Sequence, residues 1–123
     1  MNFDAVPEFQ KDVKALAKNW RSIPKDIELA KRAIEPLYTT VPGVDMSEFR
    51  NNFFGTNRAA ILTSTEDYEV VKMRLDCATL GSNKKTRLVF IAIVKENQVL
   101  FIELYAKNTN EREDARRIKK YLP

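Results

Sequence analysis

Residues 86–107 read TRLVFIAIVKENQVLFIELYAK, and the periodicity of this stretch decides the fold. Arg87 to Val94 and Gln98 to Tyr105 are dense in Val, Ile, Leu, Phe and Tyr, the residues that suit a pleated, half-buried surface. Lys95-Glu96-Asn97 between them is a connection of hairpin length. Tyr68 to Leu75 is a run of the same kind, so three segments are predicted as neighbouring strands. Between the first two strands, Ala78 to Thr86 includes Gly81-Ser82-Asn83-Lys84-Lys85, a polar connecting loop.

Working back from the strands, the period lengthens. Asn2 to Val6 is predicted as an opening strand, and Pro7 then sits in the first turn of a helix, where its missing N–H costs nothing. Phe9, Val13, Leu16 and Trp20 follow at spacings of one helical face. Ser22 is the expected N-cap of a second helix, with Pro24, Asp26 and Glu28 near its positive end and Ile27, Ala30, Ile34 and Leu37 facing inward. Pro36 is expected to kink or end it, and Pro42-Gly43 to close the segment. In residues 39–67, Asp45 or Ser47 would cap a short helical turn whose Phe49, Phe53 and Phe54 cover the sheet, and Ala59 to Thr63 is strand-like. Asn110 to Tyr121 is predicted as a polar helix with a narrow stripe of Ala115, Ile118 and Leu122. The expected class is therefore α+β in a single domain, 1–123. An N-terminal strand and helical hairpin would pack on a small, mostly antiparallel sheet of about four strands, followed by a C-terminal helix.

The chain has 123 residues, enough to bury about two-thirds of its unfolded surface without a disulfide or metal. It has no His and one Cys, which excludes a His triad, a His metal site and a CxxC redox pair. Cys77, with no His to activate it, reads as a buried strand residue. The three Gly residues form no phosphate-cradling motif. The longest apolar run, Leu88 to Val94, is too short to span a membrane, and the start MNFDAVPEFQ lacks a basic-then-apolar leader, so a cytoplasmic protein is expected. Chemistry must come from Lys, Arg, Tyr, Asp, Glu, Ser or Thr. No cofactor, metal or membrane partner is expected.

The net charge of +4 is uneven: residues 37–69 carry −3 and residues 70–123 carry +6. That asymmetry suits an anionic partner, nucleic acid or an acidic polypeptide, and equally a solvated basic face. Strand alternation puts Lys72 and Arg74 on one face, with Val71 and Met73 on the other. If the strands are neighbours, Arg87 and Lys107 join them beside Tyr105. Such a face could hold a phosphate backbone and stabilise the pentacoordinate charge of phosphodiester cleavage, with a Lys or Tyr moving the proton. It could also be a solvated face with ion pairs to Glu69, Asp76 or Glu103. On the last helix, Glu113 is expected to meet Arg116 or Arg117 at helical spacing, which compensates much of that helix's charge, Arg112, Arg116 and Lys119 included.

Val6-Pro7-Glu8-Phe9-Gln10-Lys11-Asp12-Val13-Lys14-Ala15-Leu16 resembles the opening of RelE/ParE-superfamily toxins, in which a short strand runs into a helix written roughly P-E-F-x-K-D-L-K-K-L. Ser22 to Glu28 is similar to the start of that family's second helix. Val71 to Leu75, Thr86 to Phe90 and Phe101 to Lys107 look like its core strands, and Asn110 to Ile118 resembles its ending in some relatives. The likeness implies a type II toxin neutralised by a cognate antitoxin, often acidic. The RelE-like branch cuts mRNA on the ribosome, and the ParE-like branch inhibits DNA gyrase without chemistry. A toxin fold kept as a binding module is a further alternative. Lys72 matches a basic-strand lysine of the RelE type, Arg87 the arginine that opens the next strand, and Arg74 a basic position beside them. Val70 stands where a companion lysine is usual, Lys107 and Asn108 stand where an arginine follows the last strand, and the late tyrosine has no clear match. The loop 76–86 is longer than the RelE pattern, and 39–67 looks like an insertion. Residue pattern and resemblance together nominate Lys72, Arg87, Lys107 and Tyr105 for cleavage, with Tyr105 in proton transfer or base stacking. Arg74, Lys84, Lys85 and Arg112 are nominated for phosphate binding.

Overall fold

A computed structural model describes residues 1–39, 42–55, 59–75, 86–107, 110 and 112–123. Cys77, Asp76 and the loop with Lys84 and Lys85 lie outside the described residues. The chain runs β1 (Asn2–Ala5), α1 (Pro7–Ala17), α2 (Ile23–Tyr38), α3 (Ser47–Gly55), β2 (Ala59–Ser64), β3 (Tyr68–Arg74), β4 (Thr86–Ile93), β5 (Gln98–Ala106) and α4 (Ala115–Tyr121). The class is α+β as predicted, but the sheet has five strands rather than four, in the order β1-β5-β4-β3-β2. The fifth is the Ala59 run, which pairs antiparallel with β3 and forms one edge. The sequence marks this run as strand-like, as found, but its exposed residues, with Ile61 41% exposed, give no buried alternation that would count it into the sheet. β1 lies parallel to β5 at the other edge, and the remaining pairings are antiparallel.

The strongly apolar stretch became the centre of the sheet because only buried strands tolerate near-continuous hydrophobic sequence. Leu88, Val89, Phe90, Ile91 and Ala92 of β4 are all fully buried. One sheet face meets α1 and α2. Phe101 of β5 stacks on Phe9 of α1 at 5.3 Å between ring centres and on Phe3 of β1 at 5.9 Å. Phe90 meets the edges of Phe101 and of Tyr38 from α2. Ile23, Ile27, Ala30, Ile34 and Leu37 form the inward face of α2, the predicted stripe extended by one residue.

The local rules held with specific exceptions. Ser22 precedes α2 but makes no cap to a backbone N–H; its hydroxyl donates instead to the buried Asp26 at 2.8 Å. Pro36 lies inside the last turn of α2, which continues to Tyr38. A proline so near the C-terminus removes one hydrogen bond, and burial of Leu37 together with the Tyr38–Phe90 contact outweighs that loss. Pro42 and Gly43 form a turn, with Gly43 at φ 79°, a left-handed backbone that glycine adopts without a Cβ clash. In α3, Phe53 is buried and Phe54 half-buried, while Phe49 stays 38% exposed, so two of the three expected residues cover the sheet. The β4–β5 hairpin closes through a short 3-10 turn, Val94–Glu96, and Asn97 in the left-handed region at φ 51°.

The C-terminal helix is shorter than predicted. Asp114 is its N-cap and accepts from the backbone N–H groups of Arg116 and Arg117, each at 3.1 Å. Asn110 and residues 112–114 therefore lie outside it. The helix crosses the sheet face opposite α1 and α2, with Ile118 and Leu122 near Leu62 and Val70. Among the described residues no helix is long and apolar enough to cross a membrane.

Candidate nucleic-acid interface

Register, rather than sequence spacing, assembles the cationic face. Residues directly opposite in paired strands share a face. Lys72 pairs with Val89, which pairs with Glu103; Arg74 pairs with Arg87, which pairs with Tyr105. Two rows thus run across β3, β4 and β5 on the face opposite α1 and α2. Lys107 follows the last cross-strand pair, Thr86 with Ala106, and is exposed.

Tyr105 reaches that face through a β-bulge. Phe90 pairs with Phe101, but Val89 pairs with Glu103, so Ile102 is an extra residue in β5. Strict alternation from Phe101 would send Glu103 and Tyr105 to the helical face; the extra residue inverts their parity and delivers both to the cationic face. The same bulge frees the Ile102 carbonyl and the Leu104 N–H from β4. Arg117 Nη1 donates to Ile102 O at 3.0 Å and to Asp12 Oδ2 at 2.6 Å, and Leu104 N donates to Asp12 Oδ2 at 3.1 Å. Two side chains from α1 and α4 thus complete the hydrogen bonding that β1, ending at Ala5, leaves open on β5.

The electrostatics of the face are mixed. Arg74 and Arg87 are like charges directly opposite each other, at a side-chain separation of roughly 5 Å for such pairs. Partial burial lowers the Arg87 pKa, the Arg74 charge lowers it further, and Tyr105 works the other way. Arg87 Nη1 also donates to the Thr86 carbonyl at 3.2 Å. Tyr105 is only 4% exposed, and burial, with Glu113 and Glu103 nearby, pushes its phenol up to about 12 against the pull of Arg87. It stays protonated at neutral pH, so it can donate a proton or hydrogen bond but cannot act as a base, and its ring is not offered to a stacking base.

Lys72 has a partner that sequence spacing did not indicate. Its Nζ donates to Glu113 Oε2 at 3.0 Å, with the two side chains 29% and 21% exposed. Glu113 therefore does not pair with Arg116 or Arg117 as expected, because it precedes the helix and helical spacing does not apply to it. Arg117 pairs with Asp12 instead. Of the partners considered for Lys72, Glu69 belongs to the opposite face, where it accepts from Tyr38 at 2.8 Å and from Arg50. Glu103 accepts from the Asp114 N–H at 2.7 Å; burial raises its pKa against that hydrogen bond and the Arg117 charge. Burial also works to raise Glu113, but hydrogen bonding to its own backbone N–H and to Lys72, with the charges of Lys72 and Arg112, outweighs it and the net shift is downward. Arg112 is exposed beside this segment. The signal that could have found the Lys72–Glu113 pair is Asp114 read as an N-cap, which places Glu113 outside the helix.

Among the described residues no group of three or more His, Cys, Asp or Glu side chains is arranged to hold a metal ion. No family model matches the chain, and no curated protein matches it. Among solved structures, it is similar to the archaeal RelE-RelB complex from Pyrococcus horikoshii OT3, at 12% sequence identity and a TM-score of 0.46, with 86% of this chain and 93% of that chain covered.

Proposed function

We propose that this chain is the toxin of a type II toxin–antitoxin pair, an endoribonuclease of the RelE type that cuts mRNA on the ribosome and is neutralised by an acidic antitoxin. The observation that carries this reading is the Arg74–Arg87 pair, opposed in register beside Tyr105. A phosphate between two guanidiniums relieves their mutual repulsion and accepts hydrogen bonds from both. The resemblance of residues 6–16, 71–75, 86–90 and 101–107 to that toxin family points the same way.

In this reading Arg74 and Arg87 clamp the scissile phosphate, and their charge is worth most when negative charge builds up on the pentacoordinate phosphorus. Lys72, in the next row, and Lys107, past the end of β5, extend the cationic track to neighbouring phosphates. Lys84, Lys85 and Arg112 would add backbone contacts.

The test is primer extension on a defined message translated by ribosomes with the purified protein. Cuts are expected, and Arg74→Ala and Arg87→Ala should each reduce them at least about tenfold. Intact message at high protein concentration, or unchanged cutting by both variants, refutes the proposal. A second reading, a non-enzymatic binder such as a gyrase inhibitor or a retained binding module, is favoured by the burial of Tyr105, which leaves the face without an exposed proton-transfer phenol. Inhibition of DNA supercoiling with translation unaffected would select it.

A further inference from the structure

Glu113 belongs to no regular element: β5 ends at Ala106 and α4 begins at Ala115. Its carboxylate nevertheless reaches across to the strand lysine nominated for phosphate contact, 3.0 Å away. The segment that carries it is anchored on its far side. The Asp114 N–H donates to Glu103, Asp114 caps α4, and α4 is tied to α1 through Arg117–Asp12 at 2.6 Å and Lys120–Glu8 at 3.3 Å. The Lys72–Glu113 contact itself is partly exposed on both sides, so it can break by side-chain rotation while α4 stays in place. Arg112, exposed next to it, offers the carboxylate another cation in solvent.

We infer that Glu113 is an intramolecular mask: its carboxylate occupies the Lys72 ammonium in place of a nucleic-acid phosphate and must be displaced when RNA binds. This rests on the reading of the β3–β5 face as an RNA-phosphate surface. A carboxylate and a phosphate oxygen compete for the same donor, and a polyanion prevails by engaging Arg74 and Arg87 at the same time. The mask lowers affinity for short or isolated anions more than for a continuous strand, so it selects for RNA long enough to span both rows.

The experiment is fluorescence anisotropy of a 5′-labelled single-stranded RNA dodecamer, titrated at several salt concentrations against the full chain and its variants. Glu113→Gln and Glu113→Ala should each bind about 5-fold tighter than the native chain, the size set by a partly exposed ion pair. The slope of log K against log salt should stay at its native value in the Glu113 variants, because Lys72 meets a phosphate in either complex, and should become shallower by about 0.7, the value for one phosphate contact on a single strand, in Lys72→Ala. Glu28→Gln is the control. It frees Lys31 of α2, an equal change of charge on the other side of the sheet, and should shift affinity less than about 2-fold. Adding Lys72→Ala to Glu113→Gln should abolish the gain, and circular dichroism confirms that each variant is folded.

Affinity unchanged in both Glu113 variants, with binding weakened by Arg74→Ala and Arg87→Ala, would overturn the mask and leave the RNA surface standing. Binding that is absent, or unaffected by Arg74→Ala and Arg87→Ala, would overturn the surface and the mask together.

Discussion

Replacing Asp12 by alanine should destabilise the protein far beyond the loss of an ordinary helix-surface carboxylate. Asp12 Oδ2 accepts from Leu104 N at 3.1 Å and from Arg117 Nη1 at 2.6 Å, and the Asp12 and Arg117 side chains are only 21% and 18% exposed. The substitution leaves a backbone N–H of β5 without its acceptor, which costs about 1–2 kcal/mol. It also leaves a largely buried guanidinium with the Ile102 carbonyl at 3.0 Å as its remaining hydrogen-bond acceptor among the described residues, adding about 1–2 kcal/mol. The expected total is about 3 kcal/mol. Asp12→Asn keeps an acceptor for Leu104 N and loses only the charge, so about half of that is expected. Urea unfolding followed by the fluorescence of Trp20, the one tryptophan, reads the effect. With a slope of about 2 kcal/mol/M, the midpoint should fall by about 1.5 M in Asp12→Ala at unchanged slope. Arg117→Ala completes a double-mutant cycle in which coupling of at least about 1 kcal/mol is expected. A loss below about 1 kcal/mol in Asp12→Ala, or strict additivity in the cycle, would refute the claim that this pair completes the β5 edge.

Three further outcomes are expected. Phe101→Ala should cost about 3–5 kcal/mol, because one ring joins β1, α1 and β4, and calorimetric melting would show it. Arg50→Ala should destabilise by about 2–4 kcal/mol and Tyr38→Phe by about 1–2 kcal/mol, since Glu69 is 8% exposed and loses its charge partner in the first case but one neutral donor in the second; equal losses in urea titration would contradict this ranking. Glu8 is held down to about 2 by the Tyr121 hydroxyl at 2.6 Å, its own backbone N–H and Lys120. Its folded pKa is below its unfolded value, so its contribution to stability is full above about pH 5 and is lost as pH falls toward 2. The stability difference between the native chain and Glu8→Gln should therefore shrink across that window, and a pH-independent difference in urea midpoints would refute the linkage.

Strand and helix identities were legible wherever one physical demand dominated. Residues 87–94 and 98–105 could only be strands inside the sheet, because six of the first eight residues and five of the second eight are Val, Ile, Leu or Phe, and such runs need cover on both faces. The inward stripe of α2 followed from its spacing, and its start from Ser22 and Pro24. The edge strand β2 was weakly marked, since an exposed edge imposes no strict alternation. The start of α4 was misplaced because charged residues fit a helix surface and a capped approach equally well, and the choice fell to Asp114 bonding Arg116 and Arg117.

By itself the sequence determined the class of the fold, the candidate cations on β3 and β4, and the exclusion of histidine and paired-cysteine chemistry, because these depend on residue type and local period. Tertiary structure decided which of those groups meet. Strand order set Arg74 against Arg87, the extra residue at Ile102 turned Tyr105 to their face, and packing buried its phenol. The return of the chain after β5 brought Glu113 to Lys72 across 41 residues. Pairings of this kind are set by register and by the path of the chain, which local spacing does not encode.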